Sequence, residues 1–375
     1  MNEHVSSEFA LDPGLIYLNH AGVAPWPVRA RAAVAAFAAE NVSHGAARYP
    51  EWLAVERRLR GQLATLIGAA AADDIALLKN TSEGISLVAA GLDWCHGDNI
   101  VTSDQEFPSN RLPWEALATR GVETRAVALG VADPEAALIA RLDRRTRVLA
   151  ISAVQFSDGL RLDLARLGAA CRANGTLFVI DAIQQIGALR FDVNATLADV
   201  VIADGHKWMC GPEGVALFWV RPEIRGQIAL TQFGWHMRED AGNYVDAGWR
   251  PAKSARRFEC GSPNMLGIHA LSASLEVLAD MPAIEQAVLA NAAHLANHWA
   301  SLPGWTLVSR REPGFCSGIV TAKHAGGQHG RIFAGLRDAG VVCAERGGGI
   351  RLSPHCHNTP QQLDRALEII GRLSR

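Results

Sequence analysis

The sequence lacks the features that mark membrane, secreted and nucleic-acid-binding chains. No stretch approaches the roughly 18 uninterrupted apolar residues of a membrane-spanning helix. The formal net charge over 375 residues is −2 and no long basic run occurs, which argues against nucleic acid or an anionic membrane as the main partner. Residues 1–12 carry acids where a signal peptide has a basic start and an apolar centre. The seven cysteines are scattered, odd in number and without a Cys-x-x-Cys pair, so a reduced, cytoplasmic compartment is expected. No internal repeat or low-complexity linker interrupts the chain. What is there is 49% apolar and 20% charged, the balance of a globular enzyme with a sizeable core.

Helical and strand patterns alternate. Residues 27–42 and 49–67 read as helices, the second stopped by Gly68. The apolar runs 75–78, 99–103, 146–152 and 177–180 are bounded by turn residues and read as strands, with helical segments such as 162–172 between them. This alternation predicts an α/β fold with a mostly parallel, helix-covered sheet and functional residues at the strand ends. Beyond Asp280 the texture changes. A long helical stretch over 281–300 precedes short strands near 305–308 and 317–320 and helices near 330–339 and 360–373. The expected division is a large α/β domain over 14–279 and a smaller α+β domain over 280–375, with residues 1–30 packing near the active site.

One lysine stands out. Lys207 follows the apolar strand pattern 199–202 within Ala203-Asp204-Gly205-His206-Lys207-Trp208 and precedes a second apolar run, 215–220. A lysine held between small residues at a strand end suits an amine that must reach one point and be neutral part of the time. Schiff-base chemistry with a carbonyl cofactor needs such a group.

Four further elements each admit a structural and a functional reading. Asp181 ends the apolar run 177–180; it is either a helix cap or the partner of a protonated pyridine nitrogen. Thr81-Ser82-Glu83-Gly84 is either a capping box or a phosphate site at a helix N-terminus. Phe107 is either a core ring or a ring that stacks on a flat cofactor. Arg351 is either one half of a surface ion pair or a fork for a carboxylate. The run His355-Cys356-His357 invites a metal, but consecutive residues alternate faces on an extended chain and cannot converge on one ion.

In order and spacing these elements resemble the class V aminotransferase family, the fold-type I pyridoxal-phosphate (PLP) enzymes that include cysteine desulfurases, selenocysteine lyases and isopenicillin N epimerase-like proteins. The resemblance runs from about Leu15 to the C-terminus. It is carried by Tyr17 to Gly22, Asn80 to Gly84, Ser103 to Trp114, Asp181 to Gln184, Gly205 to Trp208, Arg257 to Asn264 and Arg351 to Thr359. It implies a seven-stranded-type sheet in the large domain and pyridoxal 5'-phosphate as cofactor. Lys207 would be the Schiff-base lysine, Asp181 the partner of the ring nitrogen and Gln184 that of the ring oxygen. Thr81, Ser82 and His206 would line the phosphate pocket, His206 also counting among the catalytic residues. Phe107 would stack on the ring, Arg351 would hold the substrate carboxylate, and His20 would lie at the substrate. Ser262 would reach the phosphate of a partner subunit in a homodimer with a shared site.

The departures from the family narrow the reaction. Desulfurases stack a histidine where this chain has Phe107, and phenylalanine relays no proton. Asp204 stands where the family usually has a hydroxyl for the phosphate. Desulfurases also carry a reactive cysteine on a long loop ahead of the carboxylate-binding arginine. Here Cys343 sits on an apolar run and only seven residues separate it from Arg351. The expected function is therefore transamination of an amino acid. Carbon–sulfur or carbon–selenium lysis, desulfuration and epimerisation remain open from the same carbanion, and a fold-retaining binding protein is the non-enzymatic alternative.

Overall fold

The computed structural model describes residues 7–245, 248–281 and 283–375; residues 1–6 of the N-terminal segment expected at the active site lie outside this range. The architecture is α/β. Strands β2 (Ile75–Leu78), β3 (Asn99–Ser103), β4 (Glu123–Val127), β5 (Thr146–Ser152), β6 (Leu177–Asp181), β7 (Val200–Asp204) and β8 (Ala216–Val220) form a seven-stranded sheet in the order β2-β8-β7-β6-β5-β3-β4. Pairing is parallel from β4 through β7, and β8 runs antiparallel to both β7 and β2. The mostly parallel sheet expected from the sequence is thus present.

The strands are apolar throughout because both faces of this sheet are covered. Side chains alternate between two cores. Val101, Leu149, Ile151, Phe178, Ile180 and Val201 face helices Tyr49–Ile67, Leu164–Asn174 and Met265–Ala279. Ile100, Val148, Ala150, Val179, Val200 and Ile202 face helix Thr81–Gly91 on the other side. Parallel strands point the same way, so Ser103, Ser152, Asp181 and Asp204, the last residues of β3, β5, β6 and β7, share one edge of the sheet. That edge carries the site.

A second, antiparallel sheet follows: β9 (Trp305–Leu307), β10 (Val320–His324), β12 (Ala344–Arg346) and β13 (Gly349–Leu352), in the order β12-β13-β10-β9. Helices Ile284–Trp299 and Pro360–Leu373 pack on it through Leu295, Trp299, Leu363 and Ile370. The N-terminal segment joins this part of the chain. Strand β1 (Ile16–Tyr17) pairs in parallel with β11 (Val341–Val342), and Asn19 bridges to Ser353. Among the described residues no helix is long and apolar enough to cross a membrane.

Candidate active site

Three turns at the sheet edge build the cavity. After β7 the chain turns through Gly205, whose amide donates to Val215 O at 2.9 Å. A Cβ on Gly205 would lie 3.0 Å from that same oxygen and 3.1 Å from Leu271, so the close approach of the two segments requires glycine. His206 O accepts from Ala24 N at 2.8 Å and Lys207 O from Cys210 N at 2.9 Å, which fixes both residues at the cavity. After β6, Asp181 Oδ1 caps the next turn by accepting from Ile183 N at 3.1 Å. After β2, Asn80 caps helix Thr81–Gly91 by accepting from Glu83 N at 2.9 Å. The cap is therefore Asn80, which leaves the Thr81 and Ser82 hydroxyls out of the capping. Ser82 Oγ donates to Ser109 Oγ at 2.7 Å, while Thr81 Oγ1 is buried without a partner.

The resulting cavity of about 270 Å³ brings together Thr81, Ser82, Phe107, Asp181, Gln184, His206, Lys207 and Arg351. These residues span 271 positions of sequence from 81 to 351. Lys207 Nζ lies over the Phe107 ring, 5.6 Å from its centroid. Phe107 is 42% exposed and meets Phe156 edge to face, so it is no core ring. Gln184 donates to Ala21 O at 3.0 Å and accepts from Trp208 Nε1 at 2.8 Å, which holds its amide at the cavity wall. Arg351 donates to Phe156 O at 2.6 Å and to Asn19 Oδ1 at 3.3 Å, with Nε buried and unpartnered.

The electrostatics follow from burial. Burial raises the Asp181 carboxyl well above the ordinary aspartate range; Lys207 opposes this, and Glu106 and Asp204 add to it. Burial also lowers the Lys207 amine, with Asp181 resisting and the Arg351 charge assisting. Arg351 itself is pushed down to about 10, by burial and then by the neighbouring Arg346. An amine with a lowered pKa beside an under-compensated carboxylate is a catalytic pattern. The residues fit pyridoxal phosphate. A buried acid and an amine are enclosed together, and an orphaned Thr81 hydroxyl sits at a helix N-terminus.

The sequence profile described as Aminotransferase class-V matches residues 16–366. The chain belongs to this family. Class V enzymes use pyridoxal phosphate, and this chain is such an enzyme. A relative described as a probable cysteine desulfurase, from Methanothermobacter thermautotrophicus, is 31% identical over 286 residues, 74% of this chain and 70% of that one. Isopenicillin N epimerase of Streptomyces clavuligerus is 28% identical and covers 99% of this chain and 98% of its own. Among solved structures, the cystine C–S lyase C-DES in complex with cysteine persulfide superposes with a TM-score of 0.89 at 24% identity. It covers 96% of this chain and 98% of that one, and this likeness speaks for the fold.

Two expected site residues lie outside the cavity of this class V chain. His20 is fully buried behind it, with Nδ1 2.9 Å from Ser353 O and Nε2 3.0 Å from His357 Nε2. It packs against Trp208, His355 and His357, so the contact with substrate expected of it is corrected to a packing role. The resemblance that suggested it places the neighbouring backbone, not its ring, beside the site: Ala21, Gly22 and Val23 line the cavity instead. Ser262 lies in a separate depression with Lys79, Gly214 and Asn264, so within its own chain it is remote from Lys207.

Asp204 pairs with His206: Oδ1 stands 3.1 Å from Nδ1, and neither atom has a hydrogen-bond partner. Gln155 donates to Glu106 Oε1 at 2.9 Å instead of entering the cavity. Ser103, Asn110 and Ser152 donate to the same buried carboxylate, which fixes the strand exit bearing Phe107. The sequence reading missed Arg346, Ser109 and Ser152 as lining residues. For Arg346 a signal existed, its position just before the Gly347-Gly348 turn that returns the chain to Arg351.

The buried histidines carry a pH prediction. Burial lowers His20 to about 3 and His355 to about 4, and puts His357 well below the ordinary value. All three are neutral in the fold but take up protons when unfolded. Stability is therefore complete above pH 6.5 and falls as pH drops below it, by about 1.4 kcal/mol per pH unit for each histidine. Urea unfolding between pH 7 and 4.5 checks this, and His357→Phe should flatten the slope.

Proposed function

We propose that the chain is a pyridoxal-phosphate enzyme that takes the Cα proton of an amino acid and moves it on one face of the cofactor, the chemistry of transamination. The observation that carries this reading is the pairing of one lysine amine, Lys207, with the non-ionisable ring of Phe107 facing it. When bound, the cofactor supplies a carbonyl for the substrate's amine and a ring that accepts the electron pair left at Cα. Thr81, Ser82 and the helix N-terminus hold its phosphate, joined by Ser262 of a second copy in a homodimer. Asp181 keeps the ring nitrogen protonated, and Gln184 steadies the ring oxygen. Arg351 binds the α-carboxylate and sets the Cα–H bond toward Lys207. Lys207 Nζ, whose pKa burial lowers to about 8, takes the proton in its neutral form and can return it two atoms along.

The desulfurase relatives favour a second reading, β-elimination from a sulfur amino acid, with the same proton removal by Lys207. A protein persulfide is not part of it. Among the described residues no cysteine lines the cavity. Cys343 packs among Leu352 and Val341 in the core, its thiol pushed up by burial to about 12. Epimerisation needs a second proton donor opposite Lys207, and the Phe107 ring that faces its Nζ would supply none. Single turnover of the holoenzyme with a panel of amino acids separates these outcomes. One equivalent of keto acid retaining the side chain supports transamination; pyruvate with sulfide from cysteine replaces it by elimination. Alanine with protein-bound sulfur overturns both.

A further inference from the structure

The cavity wall formed by the second sheet carries two guanidiniums. In the β12–β13 ladder Ala344 faces Arg351 and Arg346 faces Gly349. Directly paired residues of an antiparallel ladder share a face, and so do residues two apart on one strand. Arg346 and Arg351 are therefore diagonal neighbours on one face, roughly 7–8 Å apart at the backbone, a separation that long side chains span. Both line the cavity that holds Lys207.

Neither has an acidic partner among the described residues. Arg351 is 3% exposed and hydrogen-bonds only to Phe156 O and Asn19 Oδ1, leaving Nε buried and unsatisfied. Arg346 is exposed at the cavity rim, and its Nη1 is satisfied only by Glu345 O at 2.8 Å. The acids of the cavity, Asp181 and Asp204, end strands of the other sheet and are committed to the cofactor side and to His206. Two like charges side by side at one wall are repulsive; the pKa of Arg351 is lowered first by its burial and then by Arg346. One carboxylate satisfies one fork, and the second fork calls for a second anion.

We propose that Arg346 reads a second acidic group on the substrate, so that the preferred amino acids carry an anionic side chain, held with the α-carboxylate on Arg351 and the side-chain acid on Arg346. The proposal rests on the reading of Arg351 as the carboxylate site. Arg346 is then a specificity-determining residue. The short Gly347-Gly348 turn, with φ of 61° and 70°, keeps it at the rim by allowing β12 to return directly into β13.

The test has two arms. In the first, kcat/KM of the holoenzyme is measured for aspartate, glutamate and cysteine sulfinate against asparagine, glutamine and alanine. The acids are expected to be preferred, and in Arg346→Gln the acid-to-neutral ratio should fall by about 10–100-fold, the usual worth of a charge-assisted contact. A purely structural role lowers both classes together and leaves the ratio unchanged, which overturns the proposal. In the second arm, binding of the unreactive probes succinate and glutarate is compared with that of butyrate by calorimetry. Dicarboxylates should bind the unmodified holoenzyme about 10-fold or more tightly, and Arg346→Gln should abolish the difference. Equal binding overturns the proposal. This arm needs no turnover, so it decides the role of Arg346 even where the transamination reading fails.

Discussion

Lys207→Ala should yield a folded protein with no covalent bond to the cofactor. Replacing the lysine removes the only amine that lines the described cavity, and with it the visible absorbance of a lysine Schiff base. The same substitution removes the base, so kcat should fall by about 10²–10⁴-fold, the range for loss of a positioned general acid or base. Lys207→Arg is the informative control. It keeps the charge beside Asp181 but cannot give up a proton near neutrality, so it should form no covalent bond to the cofactor and remain inactive. A borohydride-reducible bond between protein and cofactor in either variant would sink the site assignment. The fold should survive, because the turn is held by backbone bonds at Gly205, His206 and Cys210 and not by the amine.

Much of this site is legible in the sequence because its residues follow directly from strand ends. A parallel sheet sends every strand the same way, so an acid, a hydroxyl or a lysine just past an apolar run lands at one edge. Asp181, Thr81, Phe107 and Lys207 follow that rule, His206 comes from the family resemblance, and the structure brings all five into one cavity. The rule reports where a backbone ends, not where a side chain turns. His20, expected at the substrate from the resemblance, turns its ring back to Ser353 and His357. Strand β4 escaped notice because it is an edge strand with exposed or half-exposed Glu123 and Arg125, so no apolar run marks it. In the second sheet the strand expected at 317–320 begins only at Val320. Ser317 is tied instead to Gly159 O at 2.7 Å, a contact 158 residues away that no local pattern reveals.

Long-range pairing also governs the other large expected effect. Glu259 should be among the costliest side chains to remove, although it lies outside the cavity. Its carboxylate accepts from Arg60 Nη1 at 2.6 Å, from Arg60 Nη2 at 2.8 Å and from Leu77 N at 2.9 Å. Arg60 also donates to Glu56 Oε1 at 2.5 Å and to Ile75 O at 2.6 Å. Burial works against the Arg60 charge, but Glu259 and Glu56 outweigh it and hold the guanidinium above its ordinary value. The imidazole of His236 stands 3.5 Å from Glu259. Arg60 is thus the cation between two carboxylates, tying helix Tyr49–Ile67 and strand β2 to the segment that carries Ser262.

Glu259→Ala leaves a buried guanidinium half-paired and the Leu77 amide without its acceptor. The expected loss is about 3–5 kcal/mol, as for other broken buried pairs, read as a lower urea midpoint at unchanged m-value. Glu259→Gln keeps acceptor oxygen in place and should lose less. The decisive comparison is Glu259→Ala with the triple variant Glu56→Gln, Arg60→Met, Glu259→Ala, since Glu56 is buried on the same guanidinium. If the triad owes its worth to mutual compensation, the triple variant should be more stable than Glu259→Ala alone, because no uncompensated charge remains. Additive losses would mean that packing of the stems, not their charges, holds the segment. In either single variant cofactor retention should weaken as well, since the Ser262 segment loses the anchor immediately before it in the chain.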